Sequence, residues 1–300
     1  MITINNRKMK KFIISIVLLS AAVSCSMFEL DNFEGPNAEV TGNLIDMVTG
    51  EKMSLEAVQS QSFSWTTWSY VTSTKYGSLV VYEQGYVPPT WGGKPEDYPQ
   101  QDSDQDWLVR FDGNFTNTRI FAATYKFSTK KLPCYEPEDG KNTFVIKEGK
   151  NVMNIGVLPF CRIKDPKITY DAASKKVIAT FYVELGDPSK ANKISNVALC
   201  ANTQLFVGCN TMNLAKDHKP AKAQNVNPGE LITLEIDTTA PENANLFKYS
   251  TQDRYFRIAA EADGNGYNTA DKFYNFSPVY KFKADFSGIE EVIWDEVKWE

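Results

Sequence analysis

From residue 38 onward, short runs of β-branched and aromatic residues alternate with turn residues, and long helical patterns are scarce. The pattern predicts strands over 38–46, 78–84, 107–111, 119–127, 143–147 and 152–157, with turn chemistry at Asp112-Gly113 and Gly149-Lys150-Asn151 between them. Pro159 and Asp165-Pro166 then punctuate the chain. Further strands are predicted over 167–170, 176–184, 195–201, 205–209, 231–237, 255–262 and 278–283. Seven short strands over about 120 residues is the count expected of an immunoglobulin-like or fibronectin-like sandwich. No fixed-period repeat is present. The predicted fold is therefore all-β, two tandem β-sandwich domains at 38–163 and 164–288, with the boundary near 162–164. The tail, 289–300, sets Ile289, Val292, Ile293 and Val297 at helical spacing and adds Trp294 and Trp299. A terminal strand or turn packed on a domain flank and a partner-binding tail are both open there.

The first 24 residues break this pattern. Arg7, Lys8, Lys10 and Lys11 make a positive start, and 12–23 is apolar but shorter than the roughly 20 residues that span a bilayer as a helix. Small residues, Ala21, Ala22 and Ser24, then lead to Cys25. Small side chains before a cysteine suit a lipoprotein signal peptide, in which the thiol is acylated before the peptidase cuts ahead of it. Residues 1–24 are thus expected to be removed and Cys25 to carry lipid of the palmitate kind, although Ala22 stands where Leu is usual. An ordinary signal peptide with an incidental cysteine is the alternative. Residues 26–37, with Glu29, Asp31, Glu34 and Gly35-Pro36, read as a linker that spaces the first domain from the membrane.

Removal of the leader leaves 28 Lys and Arg against 37 Asp and Glu, a net charge near −9. Such a surface repels phosphate backbones and anionic head groups, which argues against nucleic acid and against peripheral docking on lipid. The remaining 276 residues suffice for two domains with separate cores. Cys134, Cys161, Cys200 and Cys209 allow three disulfide connectivities. Cys200 and Cys209 can face each other across adjacent strands, and buried free thiols are the other reading.

Tryptophan is unevenly placed. Trp65, Trp68, Trp91 and Trp107 fall in the first half with Tyr70, Tyr86 and Tyr98, largely in loop-like sequence. Sugar rings stack their C–H faces on flat aromatic side chains, and Pro88-Pro89 and Gly92-Gly93 can hold Trp91 out as a platform. Trp65, Trp68, Tyr70, Tyr86, Trp91 and Tyr98 are the candidate ligand contacts; burial in a sandwich core is the competing fate, above all for Trp107 inside a strand pattern. Asp102, Asp104 and Asp106 have the spacing of a calcium loop's first ligands. Trp107 stands where an EF-hand requires Gly and Gly113 where it requires Glu, which favours a solvated acidic loop and no resident cofactor. The lone histidine, His218, lies in a charged loop, and neither a G-x-S-x-G elbow nor an H-E-x-x-H motif is present, so catalysis is not expected.

The run from Gly42 to Met53, with its Thr49-Gly50 turn, resembles the opening of transthyretin-like, carboxypeptidase-regulatory-like sandwiches. The stretch from Phe111 through Asp112-Gly113 to Tyr125 looks like the same fold's later hairpin. With the leader from Phe28 to Asn37 and the run Tyr274-Asn275-Phe276-Ser277-Pro278-Val279, these resemble a two-domain lipoprotein family of gut Bacteroidetes built on a domain of unknown function. That resemblance implies a gene neighbourhood of SusC/SusD-type glycan-uptake pairs. The protein implied is an outer-membrane accessory facing the cell exterior, with polysaccharide and the SusC/SusD-type pair as partners. An adaptor docking on an outer-membrane transporter, and a hydrolase using two spatially close carboxylates, are the rival functions.

Overall fold

The computed structural model describes residues 35–56, 58–64, 69–84, 104–191, 193–209, 222–248, 251–262 and 273–293, with side chains left aside over 58–76 and at 104. The fold is an all-β sandwich fold. Among the described residues the helical content is a 3-10 turn, Pro241–Asn243, running into one short helix, α1 (Ala244–Phe247), and no helix is long and apolar enough to cross a membrane.

The first half folds as two four-stranded sheets. One carries, in spatial order, β6 (Asn114–Ile120), β1 (Ala38–Asp46), β10 (Gly149–Pro159) and β8 (Cys134–Tyr135). The other carries β5 (Asp104–Leu108), β4 (Ser78–Glu83), β7 (Thr124–Ser128) and β9 (Thr143–Val145). β1 runs parallel to β10 from Ala38↔Gly149 to Asp46↔Val157 and antiparallel to β6. Between the sheets lies a core that includes Val40, Leu44, Leu79, Phe115, Tyr125 and Trp107, the last only 3% exposed, as its place in a strand pattern implies. Asp112-Gly113 makes the turn into β6: Gly113 has φ +78°, and a Cβ there would stand 2.6 Å from the Met53 carbonyl oxygen.

One strand expected over 119–127 is two. β6 ends at Ile120 in one sheet and β7 begins at Thr124 in the other. The crossing is held by the buried Tyr125, whose hydroxyl donates to the Phe121 carbonyl at 2.9 Å, four residues upstream. A pattern of apolar residues does not mark such a crossing, because both strands feed the same core. A separate hairpin, β2 (Val58–Ser64) and β3 (Ser69–Tyr76), occupies sequence for which no strand is predicted, with Tyr70 in it expected in a loop.

The second half stacks a three-stranded sheet on a six-stranded one. The first comprises β11 (Cys161–Asp171), β12 (Lys176–Leu185) and β15 (Ile232–Asp237). The second orders β14 (Lys222–Val226), β13 (Ile194–Asn202), β16 (Arg254–Ala262), β18 (Tyr280–Phe282) and β19 (Ile289–Glu291), with β17 (Asn275–Phe276) also paired to β16. Val177, Ala179, Phe181 and Val183 of β12 alternate inward against Val197 and Leu199 of β13 and Phe256 and Ile258 of β16. Only Phe160 separates β10 from β11, and Tyr135 of β8 and Leu158 of β10 already pack into the core of the second half.

β13 and β16 are buried on both faces. Their outer face carries a third, smaller core of Ala198, Cys200, Val207, Ala259, Tyr274 and Val279. Residues 205–209, expected as a strand, instead lie across this face as irregular chain. At 289–291 the chain takes the terminal strand, one of the readings open for the tail: β19 pairs with β18, and the Val292 N–H donates to the Val279 carbonyl at 2.8 Å.

Tyr125→Phe removes the bond at the sheet crossing and leaves the Phe121 carbonyl without that donor. Stability should fall by about 1–2 kcal/mol, read as a lower urea midpoint with an unchanged slope.

Candidate functional site

Most of the sequence-predicted contacts, Cys25, Trp65, Trp68, Tyr86, Trp91, Tyr98 and Asp102, lie outside the described residues. Tyr70 falls within β3 rather than a loop, and Asp104 opens β5. Asp106 is in β5, and its carboxylate accepts from Lys131 Nζ at 2.6 and 2.8 Å and from Ser78 Oγ at 3.0 Å. A cation would have to displace the Lys131 ammonium. Among the described residues, no group of three or more His, Cys, Asp or Glu is placed to hold a metal.

The geometry that can receive a ligand is a cleft of about 440 Å³ where the two sandwiches meet. Three segments distant in sequence wall it. The first, around 49–54, follows β1 through the turn at Gly50, which has φ +75°. The second is a bulge in β11, where the register with β12 shifts between Lys164 and Lys167 and Asp165 takes φ +49°. Pro166 suits that bulge because it lacks the N–H a regular ladder would need. The third, Asn275 to Tyr280, is pinned to both sandwiches. The Asn275 side chain donates to the Pro133 carbonyl at 3.0 Å and accepts from the Cys161 N–H at 3.1 Å.

Two arginines underlie these walls. Arg162 grips Asp46 with two bonds, Nη2 to Oδ1 at 2.9 Å and Nε to Oδ2, and so ties the start of β11 to the end of β1. Burial works to raise the Asp46 pKa, but the bonds from Arg162 and from the Val48 N–H at 2.9 Å outweigh it and hold the carboxyl below the usual carboxylate range. Arg257 of β16 is fully buried. It donates to the carbonyls of Ser277 at 3.1 Å, Leu55 at 2.8 Å and Val207 at 3.4 Å, and to Ser54 Oγ. The Phe276 ring lies over its guanidinium, 4.0 Å from carbon to ring centre. Burial pushes the Arg257 pKa down to about 9, partly offset by the buried Glu56, so the group stays charged at neutral pH.

The cleft offers a mixed lining. The half-buried rings of Phe276 and Tyr280 stand near Glu51, Lys52, Lys164 and Asp165. The Tyr280 hydroxyl donates to the Pro166 carbonyl at 3.3 Å, and burial pushes its pKa up to about 12, so it remains a neutral donor. A second cavity of about 250 Å³ continues past Met53, Ser54 and Pro278 to Val292 and Ile293. Aromatic faces beside ring-forming polar groups of both signs suit non-covalent capture of a polyhydroxyl ligand. Sequence reasoning missed this site because no single stretch carries it; Asp165-Pro166 reads in the sequence only as a break in the strand pattern.

Neither the family profiles nor the curated proteins include a match to the chain. Among solved structures it is similar to a "putative carbohydrate binding protein" from Bacteroides uniformis, with 27% identity, a TM-score of 0.61, and coverage of 83% of this chain and 100% of that one. It shares its fold with DUF3823 family proteins from Parabacteroides merdae, at 19% identity and TM-score 0.58, and from Bacteroides ovatus, at 17% and 0.53. Each of those alignments covers 83% of this chain and 100% of the other.

Two outcomes follow from the arginines. Arg257→Ala strips the donors from three carbonyls and should cost about 3–5 kcal/mol in chemical denaturation, whereas Arg257→Met, which restores apolar volume, should cost less. For Asp46 the folded pKa lies below the unfolded value near 3.8. Its pairing therefore contributes fully above the unfolded value and is lost as pH falls through the folded one. Urea midpoints of the wild type should drop across that acid range, and Asp46→Asn should flatten the drop while lowering stability at neutral pH.

Proposed function

We propose that the protein is a non-catalytic polysaccharide-binding lipoprotein, tethered by lipid on Cys25 to the exterior face of the outer membrane, and that the cleft between its sandwiches is where saccharide is held. The observation that carries this reading is the cleft itself, a concave site with two aromatic rings and polar rims on rigid strands. The similarity to a Bacteroides uniformis protein whose name includes carbohydrate binding supports it. We also group the chain with the DUF3823 proteins whose fold it shares, and with that group infer service beside a SusC/SusD-type uptake pair. Weak binding suffices for such a role, since co-anchored proteins raise the effective concentration of each other's ligand.

An adaptor role is the second reading. It is favoured by exposed apolar side chains on either side of β19, Ile289 at its start and Ile293 beyond its end, the latter lining the smaller cavity.

Affinity electrophoresis against a panel of neutral and acidic polysaccharides tests the first reading. At least one glycan should retard the folded wild type, and Tyr280→Ala should weaken that binding about tenfold, or ~1.4 kcal/mol, without unfolding the protein. Retardation by no glycan would sink the proposal. Loss of binding in a Trp65, Trp68 and Trp91 triple alanine variant, with Tyr280→Ala unaffected, would move the site to the aromatic segments of the first sandwich.

A further inference from the structure

Cys200 lies in β13 directly across from Arg257 of β16, on the outer face that carries the small third core. Just beyond β13 the chain turns, with the Gln204 N–H donating to Asn202 Oδ1 at 3.0 Å, and doubles back over that face. The return is fixed at two points. The Val207 carbonyl accepts from Arg257, and Gly208 rests so close to Glu56 that a Cβ would meet its carboxylate oxygen at 2.2 Å. This path sets Cys209 on Cys200, thiol against thiol in hydrogen-bond contact, with the Tyr274 hydroxyl also bonded to the Cys209 sulfur. Cys134 and Cys161 are buried elsewhere, one in each main core.

We propose that Cys200 and Cys209 are a redox pair that closes to a disulfide, fastening the returning segment 203–209 onto the sheet that carries Arg257. The geometry assigns the two sulfurs different tasks. Cys209 is partly exposed, and the bond from Cys200 outweighs burial to hold its pKa below the usual thiol value. Cys200 is fully buried, and the same bond together with burial holds it well above that value. Cys209 therefore attacks first, as thiolate, on one sulfur of a disulfide oxidant. The oxidant's S–S bond breaks, a mixed disulfide forms, and one oxidant thiolate leaves and takes up a proton. Cys200 then gives up its proton and attacks the Cys209 sulfur, expelling the second oxidant thiolate. Two protein thiols are oxidised and one disulfide is reduced to two thiols, so protons and electrons balance.

The closed pair would act on the junction. Segment 203–209 walls the buried Arg257 and Glu56, and Arg257 in turn holds Ser54, Leu55 and Ser277 of the cleft region. A covalent clasp there removes freedom from the unfolded chain and stops the segment lifting away.

The test is to incubate the folded, reduced full-length mature protein with oxidised glutathione and to follow intact mass and a peptide map. Wild type should lose the mass of two hydrogens with no glutathione retained, and the map should link Cys200 to Cys209. Cys200→Ser should stop at a persistent glutathione adduct on Cys209, and Cys209→Ser should stay unreacted while folded. The oxidised wild type should melt roughly 5–10 °C above the reduced form, and dithiothreitol should reverse the difference. A stable adduct on wild type, no reaction, a bridge that includes Cys134 or Cys161, or equal melting of both forms would each overturn the proposal.

Discussion

Arg257 is fully buried, so its charge must be satisfied by the protein rather than by solvent. Moving a guanidinium out of water costs several kcal/mol unless hydrogen bonds replace its hydration. The carbonyls that replace it come from Leu55 in the first half of the chain and from Val207 and Ser277 in the second, with Ser54 Oγ as a further partner. None of these segments can move independently without leaving part of the guanidinium unpaired. One buried charge thereby ties together three stretches that carry only isolated backbone hydrogen bonds, such as Leu55 N–H to the Phe111 carbonyl and Ser277 N–H to the Ile258 carbonyl.

That constraint explains why β13 and β16 are buried on both faces. A half-buried strand alternates apolar and polar positions, but Val197-Ala198-Leu199-Cys200-Ala201 is a continuous apolar run. One set of its side chains joins the main core of the second sandwich and the other set meets the returning segment and Tyr274. The outer layer is small and rests on few apolar contacts, so the arginine's bonds matter more there than they would inside either main core. The Asp46–Arg162 pair in the cleft wall adds a second tie, and Asn275 a third.

The strands of the main sheets were legible because each buries one face and ends at residues with turn chemistry. β1 was expected over its full observed span, from Ala38 to Asp46. The departures share a physical cause. The break after Ile120 and the irregular path of 205–209 are both set by what the segment meets across the fold, which local pattern does not contain. The candidate site was less legible still. Tyr280, Asp165 and Glu51 lie each more than a hundred residues from the next, and only the meeting of the sandwiches brings them to one cavity. A signal was present in Tyr255-Phe256-Arg257-Ile258-Ala259: a charged residue inside an apolar strand run is buried only where something pays its desolvation, and that something is usually another part of the chain.

A cleft built this way differs from an aromatic loop in the energetics of binding. A loop that closes on a saccharide loses conformational freedom as it binds, at roughly 0.5–1.5 kcal/mol for each immobilised flexible side chain. Phe276 is already held against Arg257, and Tyr280 already donates to the Pro166 carbonyl, so little ordering is left to do when a ligand arrives. The left-handed Asp165 in the β11 bulge is also set in place by the fold before any ligand is present. Rigidity of this kind favours selectivity over reach, because a preformed cleft does not adapt to ligands that fail to match its rim. On the proposed function, discrimination would then come from the junction that Arg257 holds together.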